Sequence, residues 1–240
     1  MPYYYYGFDW TYIVLVLPCL ILSLWASAKV NSTFKKYSRQ RTLRGLTAQE
    51  AAMRVLSANG VSGVRIERVS GNLTDHYDPR ANVIRLSDSV YDNTSTAAIG
   101  VACHEAGHAV QYAQDYAPIK LRSAIIPVTN IGSKLAIPLI LLGILFSGLG
   151  QFSDTIIYIG IACFGLSVVF QFATLPVEFN ASHRALQTIE STGILTEEEQ
   201  KGARKTLTAA AMTYVAATAT ALAQLLRLIV LFGKRNNDRR

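Results

Sequence analysis

Two histidines and a glutamate stand in the order His104-Glu105-Ala106-Gly107-His108. On a helix, residues four apart share a face one turn apart, so both imidazoles can reach one ion. The glutamate at the next position points to the adjacent side, where it can take a proton from a water held there. Imidazole nitrogens with a carboxylate suit zinc, and the chemistry such a set performs is hydrolysis. Shuffling the chain would produce the pattern with a probability of about 0.002, so composition alone is a poor explanation. The bland alternative is a pair of hydrogen-bonded helix-face histidines beside a solvated glutamate.

A hydrolytic zinc keeps three protein ligands and one open position, so a third ligand must come from elsewhere. Gln111 and Gln114 occupy the two places where the extended three-histidine form of the motif carries a glycine and another histidine. A glutamate is therefore sought, on the same side of any membrane as the two histidines.

Asn93, Thr94 or Ser95 can cap a helix from about Thr96 to Asp115 that carries the motif. Thr47-Ala-Gln-Glu50 is a capping box opening a helix from Ala48 to Ala58, which Asn59-Gly60 ends. Val64 to Val69 alternates like a strand, and Ala81 to Leu86 reads as a second strand after the Asp78-Pro79 turn. Its edge offers a place for an antiparallel peptide to add. Small Ala106, Gly107 and Ala109 leave room for a substrate beside the motif, while Cys103 points away from His104 and reads as a core residue.

The rest of the chain is too apolar for an ordinary soluble protein: 50% of its 240 residues are hydrophobic and 16% charged, with a mean hydropathy of +0.24. Trp10 to Ala28 carries no formal charge and is long enough to cross ~30 Å of hydrocarbon as a helix. The segment before it has no Lys or Arg, so it reads as an uncleaved anchor rather than a signal peptide. Leu135 to Leu149, extended upstream by Ile125 to Ser133 across Lys134, and Thr155 to Leu175 together form a hairpin of two further spans. Whether Thr206 to Gly233, which contains Arg227, makes a fourth crossing stays open. Three cysteines, two of them in apolar runs, provide no disulfide framework.

The net charge of +7 has a topological explanation. Lys29, Lys35, Lys36, Arg39, Arg41 and Arg44 follow the first span, and Lys120 and Arg122 precede the second, whereas the turn between the second and third holds Asp154 and no base. The positive-inside rule makes the basic side cytoplasmic, and these charges meet acidic head groups rather than nucleic acid. The hairpin returns the chain to that side just before Glu178. Glu178 is thus the candidate third ligand; its bland reading is a charge that merely ends a span.

HEAGHAVQYA, an apolar hairpin and LPVEFNASHRAL, taken together over nearly the whole chain, resemble the YugP-type family of membrane-bound neutral zinc metallopeptidases. The likeness extends more loosely to the membrane gluzincins of the HtpX and CAAX-protease type. The resemblance implies zinc ligation by His104, His108 and Glu178, with Glu105 as catalytic base. The broader gluzincins place an aspartate four residues after the ligand glutamate, where this chain has Ser182; a serine suits the closer pattern.

The fold expected is therefore a mainly α membrane protein. It comprises an N-terminal anchor (1–28), a small cytoplasmic α+β zincin-like part with the HExxH helix (29–123) and a transmembrane hairpin (124–176). A third-ligand helix with an acidic-start helix (177–205) and a C-terminal apolar helix with a basic tail (206–240) complete it. His183 and Arg184 can orient a ligand or stabilise an oxyanion, or else contact head groups; His76 can touch substrate or simply turn the chain. The expected function is hydrolysis of membrane or juxtamembrane protein substrates at the cell membrane, on its cytoplasmic side, with Zn2+ as cofactor and the lipid bilayer and a peptide as partners. A non-catalytic zinc-binding scaffold or regulator is the alternative, and no sequence feature sets the oligomeric state.

Overall fold

The structure is a computed structural model and describes residues 9–233. It is mainly helical with a small three-stranded sheet, and its described residues divide into two compact units, one built from residues 26–123 and 173–214, the other from 9–25, 124–172 and 215–233. The basic tail from residue 234 onward lies outside the described residues.

The first unit holds helix α2 (Ala48–Ala58), strands β1 (Arg65–Val69), β2 (His76–Asp78) and β3 (Val83–Ser87), and helix α3 (Thr96–Ala113). Both expected helix starts form. Thr47 accepts from the Glu50 N–H at 3.3 Å while Glu50 Oε2 accepts from the Thr47 N–H at 2.8 Å, and the Ser95 hydroxyl caps α3 by accepting from the Ala98 N–H. Each bond satisfies an end-group donor that would otherwise be left without a partner. The core joins Val55 and Leu56 of α2, Ile84 and Leu86 of β3, and Ile99, Ala102 and Val110 of α3 to Ile189 and Leu195.

The sheet corrects one expectation. Its strand order is β1-β3-β2, with β1 parallel and β2 antiparallel to β3. The Ala81 to Leu86 segment is therefore the central strand, hydrogen-bonded on both sides, and has no edge for a peptide to join. Val83, Ile84 and Leu86 are fully buried, as a central strand requires. The strand occupying its second side is only His76-Tyr77-Asp78, bracketed by turn residues and too short for any alternation to register.

The helices that enter both units are longer than the apolar runs suggested. A π-helical turn, Tyr12–Val16, leads into α1 (Leu17–Tyr37); α4 spans Ala117–Leu145, α5 Gln151–Ser191 and α6 Glu197–Gly233. Four helical segments, Tyr12–Tyr37, α4, α5 and α6, are long and apolar enough to cross a membrane. The turn between α4 and α5 falls in the expected SGLGQFSD segment, at the short 3-10 helix Ser147–Leu149. α5 runs unbroken through Pro176, so one helix carries both an apolar arm and Glu178.

Within the second unit α4 and α5 approach closely. A Cβ on Gly143 would come within 2.5 Å of Ile157, and one on Gly160 within 2.7 Å of Ile140, the small-residue contact that apolar helices use in lipid. A Cβ on Gly165, by contrast, would meet only open space. Arg227, the charge that made a fourth crossing doubtful, is paired: its Nε donates to Asp9 Oδ2 at 3.0 Å, and the guanidinium lies over the Tyr12 ring. The Ser23 and Thr220 hydroxyls hydrogen-bond at 3.1 Å.

Candidate metal centre

α3 presents His104 and His108 one turn apart, with ring centroids 4.7 Å from each other. α5 presents Glu178 to both. Its Oε2 lies 3.3 Å from His104 Nε2 and 3.5 Å from His108 Nε2, and the three ligand atoms fall within 4.8 Å of one another. Glu178 is 3% exposed, and its Oε2 accepts no hydrogen bond that satisfies normal geometry. Leaving a buried carboxylate oxygen so placed is costly unless a cation sits against it. Two imidazole nitrogens and one carboxylate oxygen converging on a single point are the donor set that zinc takes, so the residues fit the ion.

Glu178 Oε1 is engaged separately, by Arg122 Nη1 at 3.4 Å. Arg122 enters the sequence reading only as a marker of topology; a basic residue 56 positions away carries no signal that it faces a carboxylate. Ser182, four residues after Glu178 on α5, lies with its Oγ 3.0 Å from His104 Nδ1. It contacts the imidazole from the very position where the broader gluzincins carry a carboxylate. Gln111 Oε1 lies 3.0 Å from His108 Nδ1. Both histidines thus have the outer nitrogen held and the inner one turned toward Glu178, the arrangement that orients metal-binding imidazoles.

Gly107 has a different role from the one expected. It does not open space for substrate, because a Cβ there would lie 2.6 Å from the Ala181 carbonyl oxygen and 3.2 Å from its carbon. The missing side chain lets the α5 backbone press onto α3 between the two histidines, which brings Glu178 into reach. Ala106 and Ala109 are likewise buried.

A cavity of about 190 Å³ adjoins the cluster. Val30, Phe34, Val101, Leu207, Ala210 and Ala211 supply apolar wall, and His104, Glu105, Glu178, Asp75 and Tyr214 line it as well. Glu105 is itself largely buried. Asp75, which sequence reasoning missed, accepts from the Ser87 N–H at 2.8 Å and from its hydroxyl; burial nevertheless pushes the Asp75 carboxyl above its ordinary value.

The comparisons with known proteins agree with this chemistry. Residues 12–233 match the family described as "Putative neutral zinc metallopeptidase". The chain belongs to this family. It is also 47% identical over 221 residues, 92% of this chain and 96% of the relative, to the protein named "Putative membrane protease YugP" of Bacillus subtilis (strain 168). No solved structure matches it.

Within this zinc metallopeptidase framework, the other residues singled out from sequence fall apart spatially. His183 is exposed and lines neither the cluster nor the cavity. Arg184 donates through Nε to Asn180 Oδ1 at 2.7 Å, hydrogen-bonds Gln114 and lies over the Tyr116 ring. His76 sits exposed on β2, with Nδ1 2.9 Å from the Thr74 carbonyl. Cys103 is fully buried in the core, as expected, and burial pushes its thiol well up.

Two outcomes follow from this geometry. Gly107→Ala must push α5 away from α3, at a cost of roughly 1–3 kcal/mol, and chelator competition on the purified protein should show weaker zinc binding; unchanged affinity would contradict the close-approach role. The second concerns pH. Burial alone would lower the His108 imidazole, but the Glu178 and Glu105 carboxylates overcome it and hold His108 above its ordinary value. A proton on His108 Nε2 takes the lone pair a metal needs, so zinc affinity should begin to fall on acidification while still above the usual imidazole value of about 6.5. In the metal-free protein the sign is opposite: the stability contributed by protonated His108 is complete below the ordinary imidazole value and lost as pH rises through the raised one. Zinc titrations and thermal melts across that range check both.

Proposed function

We propose that this chain is a membrane-bound zinc endopeptidase of gluzincin type, with His104, His108 and Glu178 as the metal ligands and Glu105 as the general base. The observation that carries the reading is the convergence of two imidazole Nε2 atoms on one buried, otherwise unsatisfied carboxylate oxygen. Zinc held there supplies Lewis acidity toward a water and toward a peptide carbonyl. Glu105, at the next position on α3 and lining the adjoining cavity, takes a proton from the attacking water on its carboxylate and delivers it to the leaving amine nitrogen. Arg122 lies against Glu178 Oε1, which leaves the other oxygen for the metal.

Substrates are membrane proteins or their juxtamembrane segments, cut on the cytoplasmic side. Two features support this placement. The basic residues cluster after the first apolar run and before the second, and Glu178 follows the Thr155 to Leu175 apolar run within a few residues. The walls of the cavity suit one bulky apolar side chain of the substrate, since about 190 Å³ accommodates a leucine or phenylalanine.

Purified wild-type protein, assayed for zinc content and casein hydrolysis, tests the assignment. Glu105→Gln should keep stoichiometric zinc and lose roughly 10²–10⁴-fold in rate, whereas Glu178→Ala should lose the metal. A zinc-binding scaffold would show no hydrolysis for Glu105→Gln to abolish, and full zinc retention by Glu178→Ala would remove the third ligand. Ala210→Phe, which fills the cavity, should retain zinc and selectively reduce cleavage of peptides bearing a large apolar residue at the scissile bond; equal loss across a peptide panel would show that the cavity does not read that side chain.

A further inference from the structure

Gln111 is fully buried, and its amide must therefore find partners at both ends. Its Nε2 donates to the Val177 carbonyl at 2.8 Å and to Asn180 Oδ1 at 2.9 Å. A main-chain carbonyl only accepts, so the amide cannot be turned round without setting oxygen against oxygen. Its Oε1 is thereby committed to His108 Nδ1, 3.0 Å away. An amide oxygen also only accepts, so His108 Nδ1 must carry the proton. In the neutral ring the lone pair then sits on Nε2, the atom facing Glu178.

We propose that Gln111 is a positioning residue that locks His108 in its Nδ1–H tautomer, and that Asn180 and Arg184 hold Gln111 in turn. The proposal rests on the zinc reading for its purpose, though the hydrogen bonds stand without a metal. Val177, Asn180 and Arg184 fall at successive turns along one side of α5. Asn180 Oδ1 accepts from Gln111 and, at 2.7 Å, from Arg184 Nε; Arg184 is anchored on Gln114 and the Tyr116 ring beyond the end of α3. Gln111 of α3 and Gln114 just past its end, the two residues that break the three-histidine motif, both receive this relay. His104 is held differently, because the Ser182 hydroxyl can donate or accept and so imposes no tautomer. A glutamate at position 111 would not substitute: its second oxygen would oppose the Val177 carbonyl.

The chain has only four histidines, so nitrogen-15 NMR of histidine-labelled protein can resolve them. In metal-free protein at mildly alkaline pH, the ring signal that disappears in His108→Ala should show its proton on Nδ1. Gln111→Leu should release the ring to a mixture of tautomers and weaken zinc binding, by chelator competition, roughly 10–100-fold. Asn180→Asp, which keeps the acceptor for Gln111 and Arg184, should retain both the Nδ1–H ring and near-wild-type zinc affinity, while Asn180→Leu should lose part of each. A wild-type ring protonated on Nε2, or wild-type zinc affinity in Gln111→Leu, would overturn the proposal. If Gln111→Leu does not fold, the wild-type ring and the Asn180 pair still decide. An Nδ1–H ring in a protein that binds no zinc would support the lock while sinking the metal reading.

Discussion

A buried carboxylate oxygen set against two imidazole nitrogens is the constraint that organises this molecule. Glu178 Oε2 is buried and accepts no hydrogen bond of normal geometry, and the groups facing it both offer lone pairs when neutral. Such a cluster is stable only when a positive charge occupies it, as protons on the rings or as a metal. The surrounding hydrogen bonds hold the outer nitrogens of both rings and leave the inner ones facing Glu178, an arrangement that serves either occupant.

Bringing these groups together demands that two helices nearly touch. α3 meets the α5 backbone through Gly107, with buried alanines on either side, and the core beneath it is likewise rich in alanine where α2 and α3 meet. Small residues here serve proximity. α5 continues without a break from an apolar segment into the segment that bears Glu178. Further along that helix, Asn180 and then Arg184 extend the contact and tie α5 to the far end of α3.

Much of this was legible in the chain. The capping box of α2, the N-cap of the helix that carries the motif, and the turn of the apolar hairpin depend on neighbours a few residues apart, where spacing and propensity act directly, and they form where expected. Glu178 could be reached because the hairpin constrains where the chain must return. The sheet order was not legible: β2 is three residues long in a turn-rich segment, so Ala81 to Leu86 looked like an edge when it is the centre. Arg122, Asp75 and the contacts of Gln111 and Ser182 were equally hidden as functional neighbours, since each acts across helices or strands distant in sequence.

The sequence alone determined which atoms could bind a metal, because HExxH periodicity is a property of one helix, and it determined that the chain holds helices long and apolar enough to cross a membrane, because length and hydropathy are additive along the chain. Tertiary packing decided the rest. Only the approach of α5 to α3 shows that Gly107 is a contact rather than an opening, that Ser182 holds His104, and that Val177 and Asn180 fix the Gln111 amide; only the folded chain shows that Arg227 finds its counter-charge in Asp9. Those are pairwise facts about groups far apart in sequence, and short-range spacing carries no information about them.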